Sequence, residues 1–454
     1  MKRMLIRSLA AGLLTAGLLG CNNQLNIQPV SQIDASNALN TSSDVQAALV
    51  GCYTGLQSEN LYGGYVQFMG DLLATSGDEQ FVGTFSEPQQ AQRKTLLVQN
   101  ATVANIWLSG YDVINRTNNV LANISKLSTA TLQATVDGEA RFIRSLVYFD
   151  LVRHYGRAWN DGSPSTNLGV PLVLTPTTTV SETNNVARAT VAQVYAQLIS
   201  DLVKAEGELP QTNGFFATRY AAAALLARVY LQQGNYAAAA AAANRVIGSN
   251  RFQLNASYGD NFLSTNDLLA NSSEDIFAIQ ISSQSGTNQL NTFYSQYRRA
   301  DVEIQPQYLS AFGSTDERAG LIEDVGGTYY SNKFDVLYGN VKLMRLSEMY
   351  LIRAEANLRG NTTVGAPPLT DLNLVRTRAG ATPRATATAA NILEERRLEL
   401  GFEGFALGDL KRTQGSTIDP LTNATIPWNS TSLVFPIPQR ELNANPALVQ
   451  NAGY

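Results

Sequence analysis

Apolar residues at helical spacing recur along the chain, and residues 220–247 state the architecture most plainly. Ala224, Ala227, Tyr230 and Leu231 fall at i, i+3, i+6 and i+7, one face of a helix, and Gly234-Asn235 supplies residues that tolerate the left-handed conformation ending it. A second helix follows at once, almost pure alanine from Ala237 to Ala243, a composition that lets a neighbour approach closely. Ala227, Tyr230, Gly234, Tyr236 and Ala239, in that order, are close to one tetratricopeptide repeat unit. Such a unit cannot bury its apolar face alone, so further copies should stack on it. Residues 341–360 give a second copy, read as helical throughout, with Ala354 and Leu358 at the separation of Ala227 and Leu231 and Gly-Asn soon after; residues 371–379 would be its partner helix.

The remaining pattern fills in around these hairpins. Residues 43–56 predict an amphipathic helix, and residues 57–87 a long loop with turns at Gly63-Gly64 and Ser76-Gly77-Asp78. Val103, Trp107, Tyr111, Ile114, Asn118 and Leu121 predict a helix to about Lys126, with residues 131–155 as its antiparallel partner. Residues 156–185, rich in Pro, Thr and Asn, read as an excursion from the helical stack. Thr190 with Gln193 fits a capping box that opens a helix to Leu209. Residues 276–281 alternate as a short strand, followed by a polar, aromatic loop at 282–301, and the chain ends in an irregular strap over the surface. The fold class is mainly α: a tetratricopeptide-like helical-hairpin scaffold with long irregular loops and minor β.

Composition narrows the function classes. With 454 residues, 44% hydrophobic and 15% charged, the chain can bury a large core, and a net charge of −4 leaves no basic stripe for a nucleic acid. Lys2, Arg3 and Arg7 precede a short apolar run, so residues 1–20 read as a signal peptide. Leu18-Leu19-Gly20-Cys21 looks like a bacterial lipobox in which the Cys21 thiol is lipidated and becomes the new N-terminus. Several acyl chains on one cysteine would anchor the mature chain stably, with residues 21–42 as a tether and N-terminal strap. Cys52 then has no partner for a disulfide and, in an apolar helical stretch, reads as a buried structural thiol. Residues 392–412 concentrate Glu and Arg among leucines, which implies ions partly buried as pairs that lock helices together.

An ordered set of motifs carries a family resemblance. It comprises Glu139-Ala140-Arg141-Phe142-Ile143-Arg144, Ala227-Arg228-Val229-Tyr230-Leu231, and the run from Arg345-Leu346-Ser347-Glu348 to Ala354-Glu355-Ala356. Glu394-Glu395-Arg396-Arg397-Leu398-Glu399-Leu400, Glu403-Gly404, Asp409-Leu410-Lys411-Arg412, Pro436-Ile437-Pro438-Gln439 and Gln450-Asn451 complete it. The chain resembles the SusD/RagB family, surface lipoproteins of Bacteroidetes that work beside a SusC-like TonB-dependent transporter. The resemblance implies an N-terminal region over 43–250, a C-terminal region over 251–454, and a helical scaffold whose loops build a glycan-binding face. It also implies attachment to the outer membrane by the lipid anchor alone, facing the cell surface, and delivery of a captured oligosaccharide to the transporter. A peptide-binding or purely structural lid for such a transporter is the alternative. Where the family usually has a basic residue and an aromatic after Glu-Gly, this chain has Phe405, Ala406 and Leu407, so packing there must differ; no acidic run follows Cys21.

Nothing in the sequence calls for catalysis or a cofactor. The one histidine, His154, sits at a helix end where a structural histidine commonly lies, and no Cys/His metal spacing or phosphate loop is present. Glu394 and Glu395 are adjacent on a helix and followed by arginines, which favours ion pairs over the two facing carboxylates of a glycosidase. A sugar site needs flat aromatic surfaces and amide, carboxylate or guanidinium partners for hydroxyls. Residues 61–85 offer Tyr62, Tyr65, Asp71, Asp78 and Phe81, and residues 284–301 offer Asn291, Tyr294, Tyr297 and Arg298. The resemblance adds Trp107, which fits a buried stripe equally well.

Overall fold

Caps and helical spacing place most of the scaffold in the structure, a computed structural model that describes residues 39–178, 185–266 and 268–454; the expected signal peptide, Cys21 and the tether to residue 38 lie outside the described residues. Helix α1 (Ser42–Leu56) opens on a capping box between Thr41 and Asp44. Helices α2 (Tyr65–Ala74) and α3 (Ser86–Gln92) are short; α4 (Ala101–Ala122) and α5 (Ala130–Tyr155) are long and capped by Asn100 and Thr129. Helix α6 (Val191–Glu208) begins on the predicted box, the Gln193 N–H donating to Thr190 Oγ1 at 3.2 Å and the Thr190 N–H to Gln193 Oε1 at 2.8 Å. Helix α7 (Arg219–Gln233) stops at Gly234, with φ 71°, and α8 (Tyr236–Ile247) starts at once with Asn235 as its cap. Two short helices, α9 (Gln289–Tyr294) and α10 (Pro306–Leu309), precede α11 (Leu346–Gly360), α12 (Pro368–Arg378), α13 (Ala389–Glu399) and α14 (Ala406–Arg412). Helix α15 (Gln439–Ala444) lies in the C-terminal strap.

Residues Thr41–Tyr454 form one compact unit in which α1 packs on α4, and α4 to α8 each pack on the next. Ala239, Ala240, Ala242 and Ala243 of α8 are fully buried, and α11 lies against that helix. The two repeat-like hairpins are therefore neighbours in space, as the small-residue surface requires. Helices α12 and α13 pack on α11 in turn.

The strands are short: β1 (Glu79–Phe81), β2 (Leu168–Pro171), β3 (Arg188–Thr190), β4 (Leu268–Leu269), β5 (Asp275–Ile279), β6 (Val302–Ile304), β7 (Ile322–Val325), β8 (Thr328–Ser331), β9 (Tyr338–Gly339), β10 (Val341–Arg345), β11 (Ser416–Ile418) and β12 (Thr425–Pro427). The largest sheet runs β1-β6-β8-β7, and its β1–β6 pairing, Glu79 opposite Ile304 and Phe81 opposite Val302, joins the two loop regions singled out from sequence.

Four expectations are corrected. Residues 57–87 are not one loop: α2 forms there with Val66, Phe68, Met69, Leu72 and Leu73 buried, and a helix covered on every side shows no polar face to read. Residues 341–345 are strand, not helix, because they pair antiparallel with β5, Val341 opposite Ile279. Residues 282–301 contain α9. The terminal strap enters the core, with Leu433, Phe435 and Ile437 at 0% exposure and the Phe435 N–H donating to the His154 carbonyl at 2.8 Å. No helix among the described residues is long and apolar enough to cross a membrane.

Candidate functional site

The end of α2, the segment from Thr75 to Glu79, α10, and the α13–α14 pair enclose a cleft of about 220 Å³. Its first wall is set by backbone pairing, because the Gln305 N–H donates to the Asp78 carbonyl at 2.9 Å and fixes the residues that lead into β1. Its second wall is α13, which presents Leu393, Arg396 and Arg397, and the turn that follows, where Phe402 has φ 65° and Gly404 φ 87°. A Cβ at Gly404 would lie 2.8 Å from Gln67 Cγ, so the turn seats against α2 only as glycine. The Asp71 carboxylate ties the two walls, accepting from the Gly404 N–H at 2.7 Å and the Ala406 N–H at 3.1 Å.

Charge in the cleft is arranged in pairs. Arg397 donates through Nε to Asp78 Oδ2 at 2.6 Å, and its guanidinium lies over the Tyr308 ring, 5.3 Å from the centroid. Arg396 donates to Asp409 through Nε at 2.8 Å and Nη2 at 3.2 Å, while its buried Nη1 has no hydrogen-bond partner. Burial works to raise the Asp409 pKa, but Arg396 and Arg412 overcome it and hold the carboxyl at about 2. Asp71 differs. Burial pushes it up to about 7 against the two backbone N–H groups, and burial with the neighbouring Asp71 charge pushes Glu79 well above the usual carboxylate range. Phe405, half-buried, offers the aromatic wall, with the Arg228 guanidinium 4.8 Å and that of Arg396 5.8 Å from its ring centroid. The packing after Glu403-Gly404 thus places a phenyl ring where the resemblance had led one to expect another pattern.

The predicted site residues separate into three groups. Asp78 lines the cleft mouth. Tyr65, Tyr297 and Arg298 lie at the opposite end of the β1–β6 ladder, where the Val82 N–H donates to the Asp301 carbonyl; Tyr297 is 70% exposed, Arg298 is exposed, and Tyr65 is half-buried with its ring edge-on to Phe293. Phe85 joins them there, under the Arg299 guanidinium at 4.1 Å. The others are core. Trp107 packs edge-on to Tyr155 with centroids 5.0 Å apart. Tyr294 is fully buried and donates to Glu79 Oε2 at 2.6 Å, and Asn291 Nδ2 donates to the Phe334 carbonyl at 2.7 Å. Asp71 reaches the cleft floor, but both its oxygens are taken by backbone N–H groups. With polar atoms bonded and rings enclosed, Trp107, Asn291 and Tyr294 leave the set of groups free to meet a ligand.

Sequence reasoning did not single out Arg397 for the candidate site, since it read the Glu/Arg segment as a solvated face with some ions buried as helix-locking pairs; the structure divides the segment between such pairs and the cleft lining. Glu395 pairs with Arg318 and Arg376, each at 2.6 Å, and Glu394 pairs with Arg384, so the two carboxylates face different partners and no glycosidic bond could lie between them. His154 is buried, its Nδ1 donating to the Asp150 carbonyl at 2.7 Å, and burial with the Arg153 charge pushes its pKa down to about 4. Cys52 is enclosed, and burial pushes its thiol up to about 12. Among the described residues no group of three His, Cys, Asp or Glu side chains could hold a metal ion.

Comparison with known proteins decides the lineage. A family model described as "Starch-binding associating with outer membrane" matches residues 31–231, and the SusD family model matches residues 324–454. The chain belongs to the SusD/RagB family. It is similar to SusD-like protein P2 of Formosa agariphila, 29% identical over 245 residues, which are 52% of this chain and 45% of that one. SusD-like protein P38 of the same organism is 23% identical over an alignment covering 97% of each chain. The chain spans 45% and 55% of the first two curated relatives it matches and nearly all of the third. Among solved structures, a SusD superfamily protein from Bacteroides thetaiotaomicron superposes with a TM-score of 0.81 at 27% identity, covering 90% of this chain and 99% of the other. A laminarin-binding SusD-like protein superposes with a TM-score of 0.76 at 23% identity, over 91% and 100%. The description of the first matching family model pairs starch binding with association with the outer membrane.

Proposed function

We propose that this SusD-like chain is an outer-membrane lipoprotein, anchored through Cys21 on the cell surface, that captures an oligosaccharide in the cleft between α2, α10 and the α13–α14 turn. It then passes the sugar to a SusC-like TonB-dependent transporter. The observation that carries this reading is the pairing of Asp78 and Arg397 at the cleft mouth beside the half-buried Phe405 ring. A ring offers its face to the C–H side of a sugar, and a carboxylate–guanidinium pair accepts from and donates to neighbouring hydroxyls. Neither step needs an activated group. Tyr65, Tyr297 and Arg298 would extend the contact along the outer end of the β1–β6 ladder for a longer chain.

Calorimetry on the chain from Asn22 onward tests this, with neutral hexasaccharides including laminarihexaose, since laminarin is what one fold neighbour binds. Saturable binding that weakens about tenfold, the equivalent of about 1.4 kcal/mol, in Phe405→Ala is the expected outcome. Silence toward every sugar, with peptides bound instead, would sink the capture reading and favour a peptide-binding lid.

A further inference from the structure

The charge balance of the cleft goes further than the word glycan. We propose that the cleft is built for an uncharged stretch of sugar chain and discriminates against uronates and sulfated sugars; this rests on the capture reading above.

Two guanidinium groups, Arg396 and Arg397, and four carboxyl groups, Asp71, Asp78, Glu79 and Asp409, line it. Each guanidinium is already met by a carboxylate in two-point contact, Arg397 by Asp78 and Arg396 by Asp409. Arg412, which also bonds Asp409, is itself matched by Glu355 at 2.8 Å. With Asp71 and Glu79 protonated, the lining sums to zero, two positive and two negative; with both ionised it is negative by two. In neither state does the cleft offer an anion a net positive potential. A carboxylate entering it would face Asp78 and Asp409 without an unspent cation to offset them.

What the cleft does leave unspent is one hydrogen-bond donor, on a guanidinium whose charge Asp409 already balances. Arg396 is 2% exposed, and its Nη1 is without a partner although every other atom of its fork is engaged by Asp409. A buried donor of this kind calls for an acceptor, and in a pocket whose charge is already balanced a sugar hydroxyl or ring oxygen satisfies it without adding charge. Ser76 adds a hydroxyl group to the same lining, while Thr75 and Thr413 donate theirs to the Glu79 and Asp409 carbonyls and keep only acceptor capacity; Leu393, Phe405 and Leu410 supply apolar faces. Hydroxyl, amphipathic ring and balanced charge together fit a neutral pyranose.

The test is a matched panel measured by calorimetry on the chain from Asn22 onward: β-1,4-mannohexaose against β-1,4-hexamannuronate, which differ at C6, with laminarihexaose, xylohexaose and hexagalacturonate beside them. The best neutral hexasaccharide should bind about tenfold or more tightly than the best uronate, and raising NaCl should leave its affinity unchanged. Asp78→Asn, which frees Arg397, should raise uronate affinity about tenfold by removing a like charge. A wild-type protein that prefers a uronate, with affinity that falls with salt and is lost in Arg397→Gln, overturns the proposal while leaving glycan capture standing. An Asp78→Asn protein that melts normally yet gains nothing for uronates also overturns it. Absence of binding to every sugar removes the capture reading and this proposal with it. Because the wild-type panel ranks neutral against charged sugars by itself, failure of a variant to fold does not spare the proposal.

Discussion

Two sets of buried carboxylates sit on either side of α13, and they behave in opposite ways. On one side Arg345 donates to Glu274 at 2.7 Å, Glu399 at 3.0 Å and Glu403 at 2.8 Å, while Arg318 bonds Asp316 and Glu395 at 2.7 and 2.6 Å. Burial works to raise Glu274, yet Arg345 and Arg378 hold it at about 2. On the other side, under the cleft, Asp71 meets only backbone N–H groups and Glu79 meets the Tyr294 hydroxyl, and burial pushes both upward. Depth is similar in the two places; the presence of a guanidinium decides the charge state. Glu395 and Glu399 face the lattice while their neighbours Arg396 and Arg397 face the cleft, so one helix is held by the first set and presents the second. The network of ion pairs around Arg345 and Arg318 thereby fixes the α13 side chains that line the candidate cleft.

Breaking the lattice should have the largest effect. Arg345→Met leaves three buried carboxylates without their shared cation and should cost about 3–5 kcal/mol, read from urea unfolding, with sugar affinity falling as α13 loosens. The pH profile separates the two sets by sign. Glu274 and Asp409 titrate near 2 in the folded chain, below their ordinary 4.5 and 3.8, so the stability they contribute is present above about pH 4.5 and lost as pH falls toward 2. Asp71 titrates near 7, above its ordinary 3.8, so its contribution is present below about pH 4 and lost as pH rises through 7. Asp71→Asn should flatten that upper limb and leave the acid limb intact; an unchanged slope between pH 4 and 7 would show that Asp71 carries no such penalty. The smallest change is a control outside both sets. Thr190→Ala removes the α6 cap and should lower stability by about 1 kcal/mol while altering neither limb of the profile nor sugar binding.

Much of the scaffold was legible because its signals are local. Thr190 and Gln193 cap a helix whatever lies elsewhere, and Gly234 ends one for the same reason. Residues 57–87 and 341–345 resisted because a helix without a polar face and a strand abutting a helix carry no distinctive period. The candidate site was legible only in part. The turn signal at Ser76-Gly77-Asp78 reaches Asp78, but its partner Arg397 lies 319 positions away, and no local pattern joins them. Tyr294 reads as a candidate sugar contact, and Trp107 as platform or core alike, because an aromatic side chain reads the same on either side of a backbone.

By itself, then, the sequence determined the helical hairpins, their caps, the small-residue face that makes them stack, and the ordered motifs of the family. Tertiary structure alone decided which charges neutralise one another and which line a cleft. The reason is physical: helix formation rests on contacts three and four residues apart, whereas the state of a buried carboxylate is set by whichever cation the packing of distant elements brings within hydrogen-bond reach.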